Sequence, residues 1–159
     1  FVLGQRNAGN WPGPAGHNLL DTGAPFYEVY TCADGREIAV GALEPKFWSA
    51  LCRRLDRADL ESGQFAADPR RSGIIAELER IFRTRPAREW VEHFAGVDAC
   101  VTAALDLAEV AADEHLRRRG TLVESDGRVS IGPLPVLSET PGRIGGPPPR
   151  LGQHTMEGE

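Results

Sequence analysis

The sequence predicts an α+β fold, a small domain with antiparallel β-hairpins and three or more helices, flanked by extended Gly/Pro-rich linkers. Three observations predict it. Two Asp-Gly pairs each lie between runs of strand-forming residues, apolar residues recur with helical spacing between those pairs, and the 18 Gly and 12 Pro of the 159 residues concentrate toward both ends. Because strands and helices do not alternate one by one, we expect no Rossmann-like sheet in this segment.

Glycine and proline divide the chain into three regions. Residues 1–24 contain seven of them and residues 132–159 contain twelve, so neither end has the composition of a buried core. We predict that residues 1–24 form a linker strap without helical periodicity, that residues 25–131 form the small α+β domain, and that residues 132–159 form an extended C-terminal tail.

The first hairpin is predicted around Asp34 and Gly35. Strand-forming residues precede this pair at positions 25–32 and follow it at positions 37–40. An Asp-Gly pair favours a tight hairpin turn because both central residues of such a turn have positive φ. Neighbouring side chains of a strand point to opposite faces, so one of Phe26 and Tyr27 faces a core and the other faces away from it.

A first helix is predicted to start at Pro45, since the missing N–H of proline has no partner at the first helical position anyway. The apolar residues of its buried face are Phe47, Trp48, Leu51 and Leu55. Residues 56–70 are polar and are interrupted by Gly63 and Pro69, which predicts a loop.

Two further amphipathic helices follow. The apolar residues of the second are Ile74, Ile75, Leu78, Ile81 and Phe82. The third is predicted to start at Pro86 and to stop at Gly96. A short buried strand at residues 98–102 and short helices at residues 106–112 and 113–119 complete the helical part.

The second hairpin is predicted to pair residues 121–124 with residues 128–131. Asp126 and Gly127 connect these two runs, as the other Asp-Gly pair does in the first hairpin. The sequence beyond residue 132 has no apolar periodicity, which predicts extended coil.

Charge, cysteine content and hydropathy argue against several classes of function. The net charge is −5 and no basic stripe follows a predicted helix, which argues against nucleic-acid binding. Cys32, Cys52 and Cys100 are odd in number and include no C-x-x-C pair, so we expect neither a disulfide framework nor a metal site, and we expect a reducing, cytoplasmic location. No apolar run approaches the roughly 20 residues that span a bilayer, so we expect no membrane partner.

Glu44 is the strongest candidate for chemistry among the side chains. It lies where the predicted hairpin ends and the helix at Pro45 begins, so the backbone on both sides fixes its direction. Two interpretations are open on physical grounds. The carboxylate either caps the helix by accepting hydrogen bonds from its first N–H groups, or it serves a site outside the helix.

Several segments resemble the α-methylacyl-CoA racemase family. These are residues 18–27 (NLLDTGAPFY), 40–47 (VGALEPKF) and 98–102 (DACVT). Residues 140–143 (TPGR) and 151–155 (LGQHT) resemble the wider family III CoA-transferases. The resemblance runs through nearly the whole chain in order, and the segment around Glu44 is more similar to racemases than to transferases.

The resemblance implies that the chain is the C-terminal part of a longer protein. Members of this family are interlocked homodimers, in which each chain has a large CoA-binding domain and a small α+β domain joined by long linkers. The expected partners are therefore the N-terminal half of the same protein, a second copy of the protein, and an acyl-CoA substrate. The reaction of the family needs no metal or redox cofactor, because CoA enters as part of the thioester substrate.

The resemblance also implies the reaction and the site. A base removes the α-proton of a 2-methylacyl-CoA thioester, and an acid on the opposite face reprotonates the enolate. The base is a His and the acid an Asp, both in the N-terminal half, and Glu44 corresponds to the Glu that supports the His. Leu20, Tyr27 and Leu43 are implied to line the acyl pocket. We expect this chain alone to be inactive, because one carboxylate cannot both deprotonate and reprotonate a stereocentre.

Two other functions remain open from the sequence. A family III CoA-transferase would move CoA between carboxylic acids, with its Asp nucleophile upstream of this segment. A non-catalytic module would contribute only to dimerisation through the small domain and its linkers.

Overall fold

A computed structural model describes the chain as two compact units, Phe1–Ala104 and Leu105–Glu159. The residues that it describes are 1–11, 13–125, 127–146, 148–153 and 155. Mixed helices and antiparallel strands confirm the predicted α+β class. The division into strap, small domain and tail at residues 24 and 131 stays a prediction.

The first unit contains a three-stranded antiparallel sheet. Its strands are β1 (Tyr27–Thr31), β2 (Glu37–Gly41) and β3 (Val101–Ala103), in that spatial order. Residues Tyr30 and Ile38 are opposite each other and buried, whereas the neighbouring pairs on the other face are exposed or half-buried. The sheet therefore has one face on the core and one face outside it within this unit.

The first hairpin forms, but its turn differs from the predicted one. The strands are joined by five residues, and the Gly35 N–H donates to the Cys32 carbonyl at 3.1 Å. Gly35 has φ +78°, whereas Asp34 is not in the positive-φ region, so the prediction that both residues need positive φ was wrong. In the longer loop, the Asp34 carboxylate accepts hydrogen bonds from the backbone N–H groups of Arg36 and Ala87, both at 3.2 Å.

Three helices cover the inner face of the sheet. They are α2 (Pro45–Arg54), α3 (Arg70–Phe82) and α4 (Ala87–Phe94), with a 3₁₀ helix at Ala58–Gly63 inside the segment predicted as a loop. The two fully buried indole rings also satisfy their polar atoms. Trp48 Nε1 donates to the Glu61 carbonyl at 3.0 Å, and Trp90 Nε1 donates to the Phe82 carbonyl at 2.8 Å.

A short helix, α1 (Val2–Asn7), contradicts the prediction that residues 1–24 contain no helix. None of its residues is buried and no side chain caps it. Its hydrogen bonds are backbone bonds, such as Gln5 N to the Phe1 carbonyl at 3.0 Å. A helix without a buried face leaves no apolar periodicity in the sequence, which explains why the pattern missed it.

The second unit contains α5 (Leu107–Ala112), α6 (Glu114–Arg118) and a hairpin of β4 (Leu122–Ser125) and β5 (Arg128–Ile131). The start of α5 is a capping box, in which Asp106 Oδ1 accepts from Glu109 N at 2.8 Å and Glu109 Oε2 accepts from Asp106 N at 3.0 Å.

The second predicted hairpin is confirmed with Gly127 at φ +71°, and its predicted turn residue Asp126 lies outside the described residues. Beyond this hairpin, no helix or strand occurs in the part of the chain that the structure describes. No helix among the described residues has the length and hydropathy needed to cross a membrane.

Candidate functional site

The backbone of Glu44 caps α2, but its carboxylate does not. The residue is extended, with φ −75° and ψ 141°, and its carbonyl accepts from Phe47 N at 3.0 Å and Trp48 N at 3.1 Å. The side chain is exposed, makes no capping hydrogen bond, and accepts no hydrogen bond from any other residue that the structure describes. Rigid backbone on both sides thus holds a carboxylate whose hydrogen-bonding capacity is free.

Glu44 lies close to the start of β3. Burial raises the pKa of the Cys100 thiol, and the charges of Asp98 and Glu44 raise it further, while Lys46 opposes them. The Cys100 carbonyl in turn accepts from Gly41 N at 2.9 Å, which joins β3 to the last residue of β2. The Glu44 backbone therefore lies at the end of the sheet where β2 passes into α2.

The outer face of the sheet carries a hollow of about 320 Å³, here called the sheet-face hollow. Residues that line it are Thr22, Tyr27, Glu28, Val29, Ala39, Val40, Gly41, Cys100 and Thr102. The small residues Ala39 and Gly41 of β2 leave space at the bottom of the hollow. In the register of the sheet, Val29 of β1 is opposite Ala39 and Tyr27 is opposite Gly41. The sequence expectation for the neighbouring pair is confirmed, since Phe26 is fully buried and Tyr27 is 40% exposed.

A second hollow, of about 380 Å³, is here called the strap hollow. Leu20 lines it together with Leu19, Trp11, His17 and Arg71. Leu20 is half-buried and Leu19 is 44% exposed. The hollow is therefore a partly apolar depression beside the first residues of the unit.

Leu43 lines neither of these two hollows. Its side chain is half-buried against the hydrophobic core, and its carbonyl accepts from Gln64 Nε2 at 2.8 Å. The four residues singled out from the sequence thus have separate environments within this unit. Tyr27 and Leu20 line different hollows, Leu43 packs on the core, and Glu44 is exposed at the helix start.

Sequence reasoning missed one buried polar group near these residues. Asn18 is 3% exposed, and its side-chain NH₂ group donates to Asp21 Oδ2 at 2.7 Å. The Asn-x-x-Asp spacing was the available signal, because short polar side chains three residues apart often close a turn.

Two of the three cysteines are buried, and the described residues contain no cluster of potential metal ligands. Burial raises the pKa of Cys32 to about 11 and that of Cys52 to about 12, so both thiols stay protonated and are poor nucleophiles. Among the residues described, no three His, Cys, Asp or Glu side chains come together as a metal site.

Comparison with known proteins gives a consistent family assignment. Residues 2–155 match the family model "CoA-transferase family III". The chain is 38% identical over 162 residues to "Alpha-methylacyl-CoA racemase" of Mus musculus, covering 99% of this chain and 42% of that protein. It is 38% identical over 152 residues to the Homo sapiens protein of the same name, covering 92% of this chain and 39% of that protein.

A transferase and a solved structure are also similar to the chain. The "Succinyl-CoA--L-malate CoA-transferase beta subunit" of Chloroflexus aurantiacus is 30% identical over 135 residues, covering 78% of this chain and 33% of that protein. A crystal structure of Rv3272 from M. tuberculosis superposes with a TM-score of 0.64 at 25% identity, covering 85% of this chain and 39% of that chain. The chain therefore spans about two fifths of the length of the two racemases that it matches.

Proposed function

Because the chain belongs to CoA-transferase family III, we propose that it is the C-terminal segment of an enzyme that epimerises 2-methyl-branched acyl-CoA thioesters. The identity to racemases, 38% over 99% of the chain, supports this reaction over CoA transfer, for which the match is 30% over 78% of the chain. The observation that carries the proposal is the free, rigidly held carboxylate of Glu44.

Glu44 would act on a histidine of the N-terminal half. A carboxylate that accepts a hydrogen bond from one imidazole nitrogen fixes the tautomer, so the other nitrogen is the one that removes the α-proton. It also stabilises the imidazolium that this step creates. The extended backbone at Glu44 and the start of α2 fix the direction of its Cα–Cβ bond, so that only side-chain rotation is needed for this contact.

Leu20, Tyr27 and Leu43 would line the acyl pocket of the complete enzyme. An apolar environment keeps water away from the enolate, so that the proton returned to the α-carbon comes from the catalytic acid. Tyr27 lines the sheet-face hollow, whose exposed surface is mostly apolar, and this supports its part in the pocket.

The active form would be an interlocked homodimer of a longer protein located in the cytoplasm. The N-terminal half would supply the base, the acid and the CoA-binding domain, so this chain alone would be inactive. No metal or redox cofactor is required for proton removal and return, and CoA takes part only as the thioester of the substrate.

The second candidate is a family III CoA-transferase, which the relative from Chloroflexus aurantiacus favours by its name. Deuterium wash-in distinguishes the two reactions. The complete protein is incubated with a 2-methylacyl-CoA in D₂O without any acceptor acid, and the α-carbon is analysed by mass spectrometry. Racemisation gives deuterium at the α-carbon, whereas transfer without an acceptor leaves the thioester unlabelled.

The third candidate is a module that contributes only to dimerisation. Replacement of Glu44 by Gln in the complete protein tests it, with Glu89→Gln as the matched control on the exposed surface of α4. We expect a large loss of the isotope-exchange rate for Glu44→Gln and no change for the control. Equal rates for the two variants would remove the support that Glu44 gives to a catalytic site.

A further inference from the structure

The loop of residues 13–23, here called the strap loop, is closed by two polar side chains. The side-chain nitrogen of Asn18, Nδ2, donates to Asp21 Oδ2 at 2.7 Å, to the Pro14 carbonyl at 2.9 Å and to the Gly13 carbonyl at 3.2 Å. Asn18 Oδ1 accepts from Gly13 N at 2.9 Å, and Asp21 Oδ1 accepts from Asn18 N at 2.6 Å. We call this pair the Asn18–Asp21 clamp.

The backbone conformation of Thr22 and Gly23, at the end of the strap loop, is restricted by its neighbours. Gly23 N donates to the Asn18 carbonyl at 3.0 Å, and a Cβ on Gly23 would lie 2.4 Å from the His17 carbonyl carbon. Thr22 has φ +72°, a conformation that a β-branched residue adopts only when its surroundings impose it. The end of the strap loop therefore has few accessible backbone conformations, although the loop lies at the surface.

The clamp reverses the usual polarity of a surface loop. Asn18 is buried at 3% exposure, while Leu19 beside it is 44% exposed and Leu20 is half-buried. An unconstrained loop would turn its leucines inward and its amide and carboxylate outward. Leu19 and the exposed part of Leu20 thus present apolar surface at the strap hollow, which an apolar ligand would cover.

The strap loop also lies between the two hollows. Leu19 and Leu20 line the strap hollow, and Thr22 lines the sheet-face hollow beside Tyr27. Immediately after the loop, Tyr27 N donates to the Ala24 carbonyl at 3.0 Å, so the shape of the loop determines where β1 begins.

We propose that Asn18 and Asp21 are positioning residues of the acyl site, which act on the substrate through Leu20 and Tyr27. This inference rests on the proposed function, because it presumes that these two side chains meet an acyl chain. The clamp places Leu20 directly and Tyr27 through the turn at residues 24–27, so loss of the clamp displaces apolar contacts and leaves the proton-transfer groups in place.

Asp21 forms the Asn18–Asp21 clamp as a carboxylate, because both of its oxygens accept hydrogen bonds from Asn18. Burial raises the pKa of its carboxyl group, but the hydrogen bonds from the Asn18 side chain and backbone outweigh this, and the net pKa is lowered. An amide in place of the carboxylate has a single oxygen, so in either orientation its NH₂ group faces the side-chain NH₂ or the backbone N–H of Asn18, where both groups can only donate.

The test uses Asp21→Asn, Leu20→Ala and the double variant in the complete protein, with Glu89→Gln as control. Initial rates are measured with a short and a long 2-methylacyl-CoA. For Asp21→Asn we expect KM to rise about tenfold with the long substrate and less than about twofold with the short one, with kcat little changed. In the Leu20→Ala background, the effect of Asp21→Asn on KM should shrink by at least about half, because both changes remove the same contact.

The results distinguish failure of the proposed function from failure of the positioning role of Asn18 and Asp21. If the unsubstituted complete protein shows no α-proton exchange, the proposed function fails. If it is active and Asp21→Asn lowers kcat equally for both substrates, or adds fully to Leu20→Ala, the clamp is only structural and the inference is overturned. If circular dichroism shows Asp21→Asn unfolded at the assay temperature, Asn18→Ser takes its place in the same cycle and is judged by the same criteria.

Discussion

The Tyr30 hydroxyl donates a 2.8 Å hydrogen bond to the Pro25 carbonyl and so joins β1 to the residues that precede it. Tyr30 is 1% exposed, and its ring stacks on Phe82 with 5.0 Å between ring centroids. Burial and the charges of Glu28 and Glu79 raise the pKa of the phenol, so the hydroxyl keeps its proton and donates at any physiological pH.

Replacement of Tyr30 by Phe should therefore destabilise the fold while preserving the ring stacking. The change leaves a carbonyl without its donor, for which a loss of about 1–2 kcal/mol in the free energy of unfolding is expected. Urea unfolding followed by tryptophan fluorescence measures it. Tyr27→Phe is the control, because the Tyr27 side chain is 40% exposed, and it should change the free energy by less than about 0.5 kcal/mol. Equal effects of the two variants would contradict the assignment.

Local signals explain why much of the fold could be predicted from the sequence. Asp34-Gly35 placed the first hairpin, Pro45 placed the start of α2, and the short helix predicted at residues 106–112 is present as α5 (Leu107–Ala112). Each of these depends on backbone geometry within a few residues. The alternation of Phe26 and Tyr27 about the strand start was predictable for the same reason, because it follows from the period of a strand.

The parts that could not be predicted depend on contacts across the fold or lack a pattern. The helix at Val2–Asn7 buries none of its residues, so the sequence there has no apolar periodicity that would predict a helix. Leu20 and Leu43 are both aliphatic, yet one lines a hollow and the other packs on the core, a difference set by tertiary packing. The burial of Asn18 likewise depends on the path of the whole strap loop.

Stability and activity should respond in opposite directions to Glu44→Ser. The Glu44 carboxylate makes no capping hydrogen bond, whereas serine is among the best N-cap residues. We expect the free energy of unfolding to stay equal or to rise by up to about 1 kcal/mol, while the rate of α-proton exchange in the complete protein falls sharply. Thermal melting and deuterium incorporation are measured on the same preparation. A fall in stability would show that the carboxylate supports the helix after all.

Acid should weaken the contact between α2 and the 3₁₀ helix. Hydrogen bonds from Arg53 and Ser49 lower the pKa of Glu61, and its oxygens lie 2.9 and 2.8 Å from those donors. A carboxyl group with a lowered folded-state pKa contributes stability above its unfolded-state pKa and loses it as the pH falls through the folded-state value. The melting temperature should therefore fall below about pH 4.5, with a shallower fall in Glu61→Gln. Glu89→Gln, which changes an exposed carboxylate of α4, should keep the slope of the unsubstituted protein.

The proximity of Glu44 to Cys100 predicts how fast this thiol is alkylated. Cys100 is exposed in this chain, whereas Cys32 and Cys52 are buried. Partial desolvation by neighbouring residues and the charges of Asp98 and Glu44 together raise the pKa of the Cys100 thiol, and removal of one negative charge lowers this pKa and increases the thiolate fraction. Iodoacetamide should therefore modify Cys100 before the other two cysteines of this segment.

Iodoacetamide should modify Cys100 faster in Glu44→Gln and in Asp98→Asn than in the unsubstituted chain, and at an unchanged rate in Glu89→Gln. Peptide mass spectrometry over a time course at pH 8 measures the Cys100 alkylation rate in all four proteins. An unchanged rate in Glu44→Gln, alongside a faster rate in Asp98→Asn, would mean that the Glu44 carboxylate points away from β3, and with it from the sheet-face hollow that Cys100 lines.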